Sequence, residues 1–344
     1  MSLDNKTPQK VVLQSYPEGN LKQSDFAVED CPVPDVADGS FLVRNSFVSV
    51  DPMLRIFIDK MPLGSSSMPS LPLGNVIPGA AVGEIIESRH PDFKVGEIVE
   101  GRFGWQHYAV STGQGVVRVP ASLGAIENAL GIGGLPGFTA YIGLSVAGGV
   151  KEGQTVLVSG AAGAVGSAVG ALVKARGGRV VGIAGGDDKK RYLLDVVGYD
   201  AVADRNAPDF NAQLAVALPN GVNVYFDNVG GPMMADVVPF MAYGGLILIS
   251  GLMAQYQDPT AGSQTDNLPP VLFAVMGKGV RIQGFSQYGQ DALRPAFEGE
   301  ISELLASGAI QPEVHIVEGL ENLPQAQVNL FEHSTTGKVV VRVA

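Results

Sequence analysis

The chain has one cysteine and four histidines among 344 residues, and that scarcity removes whole classes of chemistry. Cys31 alone can build neither an intrachain disulfide nor a multi-cysteine zinc site. His90, His107, His315 and His333 stand singly, with no HxxxH pair, and read as surface or loop residues rather than ligands. Basic residues are also few. Against 34 Asp and Glu there are 23 Lys and Arg, a net charge of −11 that argues against a nucleic-acid or anionic-membrane surface. No uninterrupted apolar run reaches the ~18 residues that a membrane span needs. The first ten residues are polar and lack the apolar core of a signal peptide, so the expected location is the cytoplasm. What remains, 46% hydrophobic and 17% charged residues over this length, describes a globular protein of two domains.

Glycine, by contrast, is abundant, with 45 residues, and its most informative cluster follows Thr155-Val156-Leu157-Val158-Ser159. That short, β-branched apolar run reads as a buried parallel strand. Gly160, Gly163 and Gly166 come next at three-residue spacing, then an Ala/Val/Leu-rich helical segment, 167–175, that stops at Gly177-Gly178. A second strand at 179–184 completes a strand–turn–helix–strand unit of the length that binds a dinucleotide. A pyrophosphate in such a unit lies against backbone N–H groups at a helix N-terminus, where the dipole favours negative charge. A Cβ on the turn would block that approach, and Gly166 also lets helix and strand pack closely. The spacing is GxxGxxG rather than GxGxxG, so the flanking strands and helix carry the assignment.

Before this unit, short β runs broken by Gly and Pro occupy 11–15, 26–30, 40–50, 80–87, 98–103, 105–111 and 116–119. Their spacing predicts a compact barrel-like β domain. Residues 62–78, with Gly64-Ser65-Ser66-Ser67 and four prolines, read as a long irregular loop. Residues 121–147 turn helical, with an interruption at 131–137. Beyond the glycine turn the alternation continues through helix 187–197, strand 200–204, helix 210–217, strand 222–227, helix 233–240 and strand 245–250. A polar loop, 253–270, leads to a short helix, a strand at 280–285 and a helix from 291 to 307. Alternation of this kind predicts a doubly wound parallel sheet. The tail regains strand character at 314–317 and 338–343 and is expected to rejoin the β domain. The expected domains are therefore 1–124 for substrate, 125–311 for the dinucleotide, and a returning tail at 312–344.

This order resembles the medium-chain dehydrogenase/reductase superfamily. Several segments resemble its prostaglandin reductase and alkenal double-bond reductase branch: Ser49-Val50-Asp51-Pro52 with Arg55, Gly104-Trp105-Gln106, residues 135–141 and 161–167, Phe226-Asp227-Asn228-Val229-Gly230-Gly231, and Gly337-Lys338. Zinc-dependent members carry a Gly-His-Glu segment and cysteine ligands where this chain reads Pro78-Gly79-Ala80-Ala81-Val82-Gly83-Glu84. The resemblance thus implies a zinc-independent enzyme with an α/β fold, a doubly wound parallel Rossmann sheet plus a GroES-like β-barrel domain. It further implies NADPH as cofactor and reduction of the carbon–carbon double bond of an enal or enone.

By the same resemblance, Gly163, Ala164, Val165 and Gly166 form the pyrophosphate turn. Lys189 matches the lysine that binds the adenosine 2′-phosphate, and Asn228 the asparagine near the nicotinamide ribose. Tyr256 matches a tyrosine placed near the reacting double bond and is the candidate catalytic residue. Three positions depart from the pattern. The family's tyrosine after the third nucleotide-domain strand is Asp204, with Arg205 as its candidate substitute at the phosphate. The asparagine before the terminal Gly-Lys is Thr335, and the tyrosine after Asp51-Pro52 is Met53.

The residues themselves bear on several of these roles. The second strand ends Val181-Gly182-Ile183-Ala184-Gly185-Gly186, without the acid that holds a ribose 2′-hydroxyl in NAD-specific relatives. Lys189-Lys190-Arg191 lies at a helix start, an unfavourable end for cations unless a phosphate is near. Asn228 reads either as a turn-former or as a ligand contact at the carboxyl end of a central strand. Tyr256 is either a donor to a developing enolate or an aromatic that packs the pocket. Arg55 reads as a surface residue paired with an acid. The strand at 280–285 is expected to pair with its copy in a homodimer, with a covering loop as the alternative. A quinone reductase on the same scaffold and a non-catalytic dinucleotide-binding redox sensor are the rival functions.

Overall fold

The computed structural model describes residues 7–59, 69–257, 268–332 and 335–344. The chain divides into two units, Met1–Gly131 with Val314–Ala344, and Ile132–Glu313. The first unit opens with an antiparallel ribbon, β1 (Gln9–Leu13) and β2 (Phe26–Asp30). Strands β3 (Phe41–Ser49), β4 (Ala81–Ser88), β5 (Ile98–Gly101), β6 (Tyr108–Ser111) and β7 (Val117–Arg118) follow. The strand expected over 105–111 is confined to its last four residues. Trp105 and His107 bond to β1 instead, through Val11 N–H to Trp105 O (2.8 Å) and His107 N–H to Gln9 O (3.0 Å). This buries the Trp105 indole, which stacks on Phe26 with ring centroids 5.6 Å apart.

A short helix, α1 (Leu54–Ile58), interrupts the strands; one helical turn is too brief to show a period in sequence. It carries Arg55, which is buried rather than at the surface, pairs with Asp59 and donates to Gly19 O at 2.9 Å. Of the loop expected over 62–78, residues 62–68 lie outside the described residues. Residues 121–130 form two 3-10 turns instead of an α-helix.

In the second unit, α2 (Leu135–Val146) leads to a six-stranded, wholly parallel sheet. Its strands are β8 (Thr155–Ser159), β9 (Arg179–Ala184), β10 (Ala201–Asp204), β11 (Val222–Asp227), β12 (Met241–Ile249) and β13 (Arg281–Gly284), in the order β10-β9-β8-β11-β12-β13. This is the doubly wound sheet, with β8 buried along its full length because both faces are covered. Helix α3 (Ala164–Ala175) starts three residues earlier than the sequence pattern suggests, directly after Gly163.

The helix expected over 187–197 starts as α4 (Asp187–Arg191), then widens into a π-helical turn over Tyr192–Val197 that ends at Gly198. That turn delivers Tyr199 into the core, where its hydroxyl donates to Gly166 O at 2.8 Å. The Tyr199 ring lies over Gly170, where an added Cβ would sit 2.2 Å from it. Helices α5 (Phe210–Ala217) and α6 (Met233–Val237) flank β11 in sequence. The polar loop expected from 253 begins instead as a helix, α7 (Met253–Gln257), and residues 258–267 lie outside the described residues. Helices α8 (Leu268–Lys278) and α9 (Arg294–Ala306) complete the unit.

The tail returns to the first unit, with β14 (Val314–Glu318), α10 (Leu323–Phe331) and β15 (Lys338–Arg342). Strand β15 pairs antiparallel with β3, giving a seven-stranded sheet that runs β14-β15-β3-β4-β5-β7, with β6 also on β3. A buried lysine fastens the junction: Lys338 Nζ donates to the half-buried Asp51 Oδ1 at 2.7 Å and to Val50 O at 3.0 Å.

Because no rearrangement short of moving Tyr199 makes room for a methyl group, Gly170→Ala should destabilise the protein by ~1–3 kcal/mol. Urea denaturation of the variant checks this; a loss under ~0.5 kcal/mol would show that the ring yields freely.

Candidate active site

The carboxyl ends of β8, β9, β11 and β12 lie side by side along one edge of the parallel sheet, where open α/β sheets bind ligands. The first contribution is the glycine turn after β8. Gly163 N-caps α3 without any capping side chain, so the amides of Ala164, Val165 and Gly166 are left as donors at a positive helix end. Gly163 is exposed and Gly166 buried. An added Cβ at Gly166 would stand 2.5 Å from both Gly160 O and Ala161 O, so that glycine is required by packing.

The second contribution comes from the ends of β9 and β10. Lys189 and Arg205 are half-buried there, and neither forms a salt bridge among the described residues. Nearby, Arg191 pairs with Asp188, and Lys174 with Asp200. Burial, and then the adjacent Arg205 charge, push the Lys189 ammonium below its ordinary pKa. Two like charges held together in this way are relieved by an anion between them. Asp204 is tied into the turn, where its Oδ1 accepts from Asn206 N–H at 2.9 Å and from Gly186 N–H at 3.4 Å.

The third contribution is the turn after β11. Asn228 donates through Nδ2 to Ser159 O at 2.8 Å, which ties it to the end of β8. Helix α7 docks on the same turn, with Met253 N–H bonding Asn228 O at 3.3 Å and Ala254 N–H bonding Val229 O at 3.0 Å. Tyr256 sits half-buried on that helix, its hydroxyl accepting from Leu252 N–H at 3.4 Å and keeping its own proton for donation. The structure thus brings Gly163, Ala164, Val165, Gly166, Asn228 and Tyr256 onto neighbouring elements, with Lys189 and Arg205 one strand along. Thr335 belongs to the first unit, half-buried just before Gly337 and Lys338. Sequence reasoning missed Ser159 and Asp227, which organise the Asn228 turn; a serine and an aspartate closing two apolar strands were the available signal.

This arrangement suits a dinucleotide with a 2′-phosphate: an uncapped helix start, a glycine that admits close approach, and two cations beyond an acid-free strand end. Among the described residues, no three His, Cys, Asp or Glu side chains converge as a metal site would require.

Residues 9–119 match a family described as the N-terminal domain of oxidoreductase, and residues 164–305 one described as zinc-binding dehydrogenase. The chain is 37% identical to the NADPH-dependent curcumin reductase of Escherichia coli (strain K12), covering 97% of this chain and 96% of that protein. It is 33% identical to the 2-alkenal reductase (NADP(+)-dependent) of Nicotiana tabacum, covering 97% of each. The crystal structure of CurA in complex with NADPH from Vibrio vulnificus superposes with a TM-score of 0.91 at 36% identity, covering 98% of this chain and 99% of that one. The chain belongs to the medium-chain dehydrogenase/reductase superfamily, in the branch that holds the prostaglandin and 2-alkenal reductases.

Lys189→Ala should weaken a 2′-phosphorylated dinucleotide ten- to hundredfold, about 1.5–3 kcal/mol, and spare the unphosphorylated form. Titration of each cofactor checks this, and equal losses would exclude Lys189 as the phosphate reader. Because the Lys189 pKa is lowered, the phosphate contact should fade with rising pH earlier than an ordinary lysine would allow. Binding should correspondingly take up protons on the alkaline side.

Proposed function

We propose that the protein is a zinc-independent, NADPH-dependent reductase of the carbon–carbon double bond of α,β-unsaturated aldehydes or ketones. One observation carries the reading: the turn after β11 both anchors Asn228 and docks the helix that presents Tyr256, beside the glycine turn. The names of the Escherichia coli and Nicotiana relatives support NADPH and an enal or enone. NADPH, when bound, would supply a hydride for the β-carbon; the electron pair of the double bond would move toward the carbonyl oxygen, and a proton taken up at the α-carbon would complete the saturated product.

The chain's part is to bind and to donate. The α3 amides hold the pyrophosphate, and Lys189 with Arg205 holds the 2′-phosphate. Asn228 meets the nicotinamide half. Tyr256, whose hydroxyl oxygen accepts from the backbone, directs its proton at the oxygen where charge develops. Polarisation falls to hydrogen-bond donors, because the zinc-dependent ligand segment is replaced here by Pro78-Gly79-Ala80-Ala81-Val82-Gly83-Glu84.

The assembly proposed is a homodimer. Edge strand β13 is exposed at every residue, Ile282 at 45%, and α8 presents Leu272, Phe273 and Met276 at 51%, 73% and 73% exposure. An open strand edge beside such an apolar surface fits a second copy paired across a two-fold axis.

NADPH oxidation should require an enone and persist in excess chelator. Turnover with a quinone alone would favour a quinone reductase, turnover with neither a binding protein, and activity restored by zinc a metal enzyme. Tyr256→Phe should lower kcat by up to ~10²–10³-fold, less where a ribose hydroxyl shares the oxyanion. An unchanged kcat with hydride transfer rate-limiting would remove Tyr256 from the mechanism. Sedimentation at micromolar concentration should show a dimer that Ile282→Lys converts to monomer; a monomeric parent protein would end that proposal.

A further inference from the structure

A buried polar cluster closes β8 and β11, and the chemistry above leaves it unused. Ser159 and Asp227 are both 0% exposed. The Ser159 hydroxyl donates to Asp227 Oδ1 at 2.6 Å and accepts the Asn228 N–H at 2.9 Å. Asp227 Oδ1 also accepts the N–H groups of Val229 and Gly230, each at 3.0 Å. The backbone on both sides of Asn228 is therefore clamped, and its side chain donates to Ser159 O at 2.8 Å. A carbonyl oxygen only accepts, so the amide has one allowed orientation, nitrogen toward Ser159 and Oδ1 away from it.

We infer that Ser159 and Asp227 are positioning residues: their side chains fix the backbone on both sides of Asn228, which holds its amide nitrogen on the main-chain carbonyl of residue 159 and turns Oδ1 outward, toward a hydrogen-bond donor of the cofactor, a ribose hydroxyl or the carboxamide N–H. The inference rests on the reading of Asn228 as a cofactor contact. The Tyr225 hydroxyl, two residues before Asp227 on the same face of β11, is buried against this cluster, with the Ser159 and Asp227 side chains beside it. Burial, and then the Asp227 charge, push the Tyr225 phenol far above its ordinary range. It stays protonated, and the clamp does not face a second anion.

The test is a double-mutant cycle on NADPH affinity, read by fluorescence titration of the full-length protein well below its Tm. Asn228→Ala should weaken NADPH about tenfold, the effect of one hydrogen bond, and Ser159→Ala by a similar factor. The double variant should bind no more weakly than Asn228→Ala alone, because Ser159 acts through Asn228. Full affinity in Ser159→Ala beside a weak Asn228→Ala would overturn the inference, as would losses that multiply. Unchanged affinity in Asn228→Ala would instead remove Asn228 from the cofactor site, and the inference with it. Should Ser159→Ala fail to fold, Ser159→Cys, with a weaker donor in the same place, enters the same cycle.

Discussion

A carboxylate cut off from water must be met by donors, and Asp227 is met by the Ser159 hydroxyl and by the amides of Val229 and Gly230. Much of the candidate site follows from that requirement. To bring two consecutive amides onto one oxygen, the chain turns sharply after β11 and passes through Gly230 and Gly231 at φ 67° and 66°, where a side chain would be strained. The tight turn leaves the carbonyls of Asn228 and Val229 free to receive the amides that open α7. One buried charge thus fixes the amide of Asn228 and the helix that carries Tyr256.

The distribution of cations tells a complementary story. In a chain of net charge −11, several basic side chains among the described residues find an acid, as Arg176 does with Glu300 and Arg342 with Glu318. The exposed Arg342–Glu318 pair contributes little stability, whereas Arg176 grips Glu300 through two bonds of 2.9 Å in a part-buried setting. Lys189 and Arg205 are half-buried without an ion pair among the described residues, and burial and then the Arg205 charge disfavour the Lys189 ammonium, a cost that an anion would offset. Lys338 with Asp51 stands at the other extreme. There a buried ammonium meets a partly exposed carboxylate and the Val50 carbonyl, and removing either acceptor would leave a charge inside the sheet that holds the returning tail on β3.

Legibility in the sequence followed the range of the interaction. The glycine turn, the strands flanking it and the β/α alternation were readable because each is encoded within a few consecutive residues by hydrophobic period and turn chemistry. Helices α1 and α7 escaped because five residues do not display a period, and α10 because it is a nine-residue segment opened by a proline between two strand runs. The π-helical turn at Tyr192–Val197 has the residue pattern of an ordinary helix, so its extra residue per turn was invisible. The shorter span of Trp105–Ser111 had a similar cause, since the choice of β1 over β3 as partner is made between segments far apart in the chain.

The amino-acid sequence alone determined the parallel sheet, the presence of a helix behind the glycine turn and the lack of cysteine and histidine sets for a metal. Each of these depends on residue type and local spacing. The tertiary structure decided which side chains meet: Tyr199 with Gly166 across 33 residues, Ser159 with Asp227 across 68, and Lys338 with Asp51 across 287. A hydrogen bond needs its partners within about 3 Å and aligned, and only the pairing of distant strands brings those atoms to that distance.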